Sequence, residues 1–142
     1  MTPYSVLLAL HGSIILLSGL VGGLFFARAI KQSSGEVAWR VVHAGGCAAG
    51  VMLLGISVPV QWISLPDMMA LVLVWSFLLG TYLLVVGMFV AAIWSVRGVP
   101  GGGVRLNRLV NGLYAAGTVL SFIACILLVV GLARTYANAS VA

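Results

Sequence analysis

Four apolar stretches, each long enough to cross a lipid bilayer, occupy almost the whole of this 142-residue chain. A spanning helix needs about 20 mostly apolar residues. With 63% hydrophobic and only 6% charged residues, the chain is expected to be all-α and polytopic. The spans are expected at about residues 4–27, 39–61, 68–96 and 107–133. Short connections between them predict an antiparallel four-helix bundle. Nothing remains for a soluble domain, so residues 1–142 read as a single transmembrane domain. The first run has no basic leader and is too long for a signal-peptide core, although Ala27-Arg28-Ala29 superficially offers a cleavage site.

The few charges predict orientation. Arg28, Lys31 and Arg40 flank the first connection, and Arg97, Arg105 and Arg108 the third. The opposite side has only Arg134. Basic residues stay on the cytoplasmic side, so both basic loops are expected there and both termini outside. The membrane expected is a bacterial inner membrane. Trp39 and Trp94 on the basic side, with Tyr4, Trp62 and Tyr136 on the other, fit interfacial belts. The net charge of +5 therefore reports topology and headgroup attraction, not a nucleic-acid partner.

Several classes are excluded by what the spans lack. Cys47 and Cys125 form no C-x-x-C pair, which argues against a thiol oxidase. No Asp or Glu lies inside a span, which argues against a proton-coupled exporter. Gly101-Gly102-Gly103 after Pro100 reads as a loop, since no phosphate-binding motif is present. Gly19 and Gly23, Gly46 and Gly50, and Ser18 with Gly22 have the spacing that lets helices approach closely in lipid. The same spacing also lets a flat ligand lie against a helix.

Two histidines, His11 and His43, fall within spans. An ionisable group there costs a few kcal/mol on insertion scales and marks a candidate site; the alternative is a polar contact that glues helices together. Their expected depths differ by roughly 10–15 Å, so they are not expected to clamp one haem iron. A di-haem cytochrome would need four histidines. A single ligand leaves an open coordination position. On the helical wheel Trp39, Arg40, Gly46, Cys47 and Gly50 share the His43 face. Gly46 and Gly50 would offer a smooth wall to a porphyrin, and Arg40 a partner for a propionate. Asn111 enters at a similar depth on the fourth helix, with Asn107 and Tyr114 on its stripe. Trp75, Tyr82 and Phe89 recur at seven-residue spacing on the third. Packing alone would also explain that stripe. These features define a four-helix membrane protein with a candidate single-histidine metal site.

The chain also resembles the small membrane isomerases represented by hydroxylaminobenzene mutase and styrene oxide isomerase. The resemblance rests on His11-Gly12, on His43-x-x-Gly46-x-x-Ala49-Gly50, and on Gly80-Thr81-Tyr82 followed by Ala91-Ala92-Ile93-Trp94. It implies a homotrimer holding haem b through the histidine that aligns with His43. Ferric iron there acts as a Lewis acid on the oxygen of a small apolar aromatic epoxide or hydroxylamine. Tyr82 then orients substrate or steadies charge, and Trp75 and Asn111 join it across the pocket. Two departures stand out. The family's asparagine before the glycine is Ala49 here, for which Asn111 is a substitute from another helix. The family also carries basic residues at its termini, against the orientation expected above. Two alternatives accompany the isomerase: a non-catalytic haem-binding protein, such as a sensor, carrier or redox subunit, and a metal-free accessory protein.

Overall fold

A computed structural model describes residues 2–99 and 105–140; the glycine run at 101–103 lies outside them. Four helices are present: α1 (Pro3–Gln32), α2 (Glu36–Ser57), α3 (Asp67–Trp94) and α4 (Arg105–Ala139). A 3-10 turn over Pro59–Trp62 extends α2. All four are long and apolar enough to cross a membrane, counting α2 with its 3-10 extension as one span. No strand occurs among the described residues.

The helix ends follow local chemistry rather than the limits of apolar sequence. Thr2 caps α1 by accepting the Ser5 N–H at 3.3 Å, with Pro3 in the first turn, where its missing donor costs nothing. α1 runs on through Arg28 and Lys31 to Gln32, because charge does not stop a helix at the interface. It closes at Ser33 in the left-handed region (φ 49°), and Gly35 (φ 73°) completes a three-residue turn that a bulkier residue would strain. The second span was expected to be continuous to residue 61. The α-helix ends instead at Ser57 and tightens into the 3-10 turn at Pro59, which lacks the N–H an α-helix needs, while Val58 keeps helical dihedrals (φ −75°, ψ −58°).

Small residues govern how the helices meet. Along α1 the buried positions Ser5, Leu8, Gly12, Ile15, Gly19 and Gly22 alternate by three and four, the seam of a heptad pair. This seam lies along α2. A Cβ on Gly46 would stand 2.8 Å from Gly19 Cα, and one on Gly50 would stand 2.5 Å from the Leu16 nitrogen. α4 buries Val110, Gly117, Ala124 and Gly131, each seven residues apart. Gly117 meets Gly80 and Leu84 of α3, Ala124 joins the core, Val110 meets Gly98, and Gly131 receives Ile63 and Leu65 of the connection before α3. α3 is the central element: it pairs closely with α4, less extensively with α2, and touches α1, whereas α4 has no extended contact with α1 or α2. The core gathers Leu8, Ile15, Leu53, Leu73, Val74, Phe77, Leu78, Val85 and Ala124.

Two polar clips pin the ends of α4. The buried Asn107 side chain accepts the Gly98 N–H at 2.8 Å and donates to the Val99 carbonyl at 2.6 Å. At the other end the Thr135 hydroxyl accepts the Ser64 N–H at 2.9 Å.

Gly46→Ala should force α1 and α2 apart and cost about 1–3 kcal/mol, as overpacking does. Gly112→Ala, where a Cβ meets nothing within 4 Å, should be neutral or stabilising by up to about 1 kcal/mol. Denaturant titration in mixed micelles measures both.

Candidate functional site

His43 rests on α1, not on open space. Its Nδ1–H donates to the Gly19 carbonyl at 2.9 Å, and Cys47 Sγ lies 3.7 Å from the same nitrogen. The ring occupies a notch that exists because Gly23 has no side chain: a Cβ there would stand 2.9 Å from Nδ1 and 3.1 Å from Cε1. The flat group against the Gly19/Gly23 pair is thus the imidazole itself. Nε2 makes no hydrogen bond among the described residues. It is also not sealed in, since the only buried side-chain polar atoms without partners there are Ser5 Oγ and Thr81 Oγ1. Gly45, two residues along α2, meets Met88 of α3. Two residues correspond to about 200° of helix turn, so His43 points away from α3.

The other predicted residues are dispersed. Arg40 is exposed one turn nearer the basic end. Gly46 and Gly50 face α1, where Gly19 and Leu16 fill the space against them; neither presents an open wall. Trp39 stacks on Phe25 with ring centroids 4.6 Å apart, and meets Phe89 edge-on, bracketing α2 between α1 and α3. Trp75 is 47% exposed on the outer surface of α3. Asn111 is half-buried on α4. Its stripe-mates are structural: Asn107 is a clip, and Tyr114 packs where Gly87 and Gly98 leave room.

Tyr82 has a partner that sequence reasoning did not supply. Its hydroxyl and His11 Nδ1 share a hydrogen bond of 2.8 Å, with the rings edge-on at 84°. This pair joins α1 to α3. His43 sits level with Gly19–Gly23 of α1, which places it roughly 12–18 Å along the helix from His11. The two histidines therefore define two sites. No group of three or more His, Cys, Asp or Glu side chains that could hold a metal ion occurs among the described residues.

A separate cleft of about 730 Å³ opens at the basic end, lined by Ser33, Glu36, Val41, Met88, Arg97 and Tyr114 among others. It contains none of the predicted site residues.

The fold and these sites define a polytopic helical membrane protein whose spans place histidine and tyrosine, but no carboxylate, in their interior. A family model for styrene oxide isomerase matches residues 4–133, and the chain belongs to that family. Membership implies an isomerase-type activity. No curated protein matches the chain.

Gly23→Ala should push the His43 ring off the Gly19 carbonyl. With two histidines in the chain, nitrogen-15 labelling reads this directly: the His43 resonances should move and those of His11 stay. Unchanged His43 resonances would place the ring outside the notch.

Proposed function

We propose that this protein is a haem-dependent membrane isomerase that rearranges a small aromatic epoxide or hydroxylamine, with His43 as the residue that would hold the iron. The observation that carries the reading is the hydrogen-bonding state of that imidazole. A ligating histidine characteristically donates its other ring N–H to a backbone carbonyl or carboxylate, which fixes the tautomer and raises ligand basicity. His43 does this with Gly19, leaving Nε2 unbonded and open. The donor set therefore fits a single-histidine haem site.

Haem b bound there would supply a ferric Lewis acid able to polarise the substrate oxygen without a titratable acid. Arg40, exposed one turn toward the basic interface, is placed to pair with a propionate. Gly46 and Gly50 contribute indirectly, by bringing α2 close enough to α1 for Gly19 to hold the ring. An apolar substrate reaches the site from the bilayer.

His43 faces away from α3, and α4 does not close over α1 and α2. A second copy covering His43 would complete the site, which fits a closed cyclic assembly, a homotrimer by family resemblance. Tyr82 lies on the α3 side of its own protomer. The Tyr82 that meets substrate at one His43 then belongs to the adjacent copy, and Trp75 and Asn111 flank that approach.

The detergent-purified protein should show a Soret band that His43→Ala abolishes and His11→Ala largely retains. The wild type should convert styrene oxide or phenylhydroxylamine without an electron donor. Absence of the Soret band in wild type removes the haem reading. Co-expression of His43→Ala chains, inactive alone, with Tyr82→Phe chains, slow alone, should restore activity above that of either variant by itself. No restoration would place Tyr82 and His43 of one chain at one site.

A further inference from the structure

The His11–Tyr82 pair holds one more proton than its hydrogen bond uses. A neutral imidazole has one N–H and one acceptor nitrogen, and a phenol has one O–H. A single bond of 2.8 Å joins Nδ1 to the hydroxyl. If the hydroxyl donates, the imidazole proton sits on Nε2 and is unused. If Nδ1–H donates, the hydroxyl proton is the one left over. Neither group has a second hydrogen-bond partner among the described residues, and His11 Nε2 is not among the sealed polar atoms.

An unused donor in an apolar interior lacks the water that would otherwise satisfy it. It therefore favours any oxygen acceptor that enters. The two tautomers present this donor at opposite ends of the pair with no change in net charge. The pair is also held firmly: the edge-on ring contact fixes the imidazole against the phenol, and Tyr82 packs against the core.

We propose that His11 and Tyr82 form an oxygen clamp for a small ligand with an apolar aromatic body and one oxygen acceptor. His11 is the positioning residue that aims the Tyr82 hydroxyl. The proposal rests on the isomerase reading for the aromatic body of the ligand and for which oxygen compound is bound; the need for an oxygen acceptor comes from the unused donor.

The test uses nitrogen-15 histidine-labelled protein in nanodiscs, with acetophenone as a probe that offers an oxygen but no bond to rearrange. Ethylbenzene is the matched probe without oxygen. Acetophenone should shift the His11 resonances and ethylbenzene should not, and Tyr82→Phe should abolish the shift. In turnover, His11→Phe should lower kcat by about tenfold or more with the Soret band unchanged, as loss of a positioned acid–base partner does. His11→Asn, whose amide nitrogen lies close to where Nδ1 stood, should recover most of it. The His11→Phe/Tyr82→Phe double variant should be no slower than Tyr82→Phe alone, because His11 acts through Tyr82. His11 resonances unmoved by acetophenone, or losses that multiply in the double variant, would overturn the clamp. If the wild type shows neither haem nor turnover, the isomerase reading fails by itself. The acetophenone experiment still decides the clamp.

Discussion

Where Gly19 crosses Gly46, two helix backbones meet with no side chain between them, and much of the molecule follows from that contact. In lipid the hydrophobic effect does not press helices together, so close van der Waals approach must do so. The approach brings the Gly19 carbonyl within reach of His43, and the missing side chain at Gly23 receives the ring. One element of packing thus sets helix spacing, imidazole tautomer and the outward direction of Nε2. A histidine in a wider interface would have to find its partner among mobile groups or lipid.

α3 plays the complementary part. Gly80 and Gly87 admit α4, Phe89 meets Trp39 of α2, and Tyr82 reaches His11 of α1. Its polar and small residues are sorted by direction, each turned to a different neighbour. This is why so few ionisable side chains suffice to organise four helices. The two histidines make one polar cross-link each, and they act at different depths and on different helix pairs.

The spans, their order and the small-residue pairs were legible in the sequence, because hydropathy and glycine spacing are local signals. The preference for His43 over His11 as ligand also came from local neighbours. What a helical wheel cannot say is which neighbour lies in a given direction. Gly46 and Gly50 were expected to leave a wall for a porphyrin, yet that same smoothness is used by α1. The Trp75–Tyr82–Phe89 stripe follows from seven-residue spacing, but its three rings go different ways: Trp75 lies on the outer surface, Tyr82 meets His11 and Phe89 meets Trp39. Tyr82 and His11 are 71 residues apart, and no local pattern links them. Asn107 looked like part of a polar stripe because its partners, Gly98 and Val99, are backbone groups, which sequence does not display. Pro59 was readable as a helix breaker, and hydropathy alone passed over it.

The helices also differ in length. At 1.5 Å per residue, the 22 residues of α2 span about 33 Å, whereas the 35 of α4 span about 52 Å. A hydrocarbon core of about 30 Å matches the first and falls well short of the second. α4 must lean, or stand proud with Arg105 and Arg108 at one end and Tyr136 at the other among the headgroups. Because Asn107 and Thr135 tie those ends to the rest of the chain, it cannot tilt freely. Bilayer thickness therefore becomes a mechanical load on the α3–α4 pair: a thinner membrane strains the clips, and a thicker one relieves them.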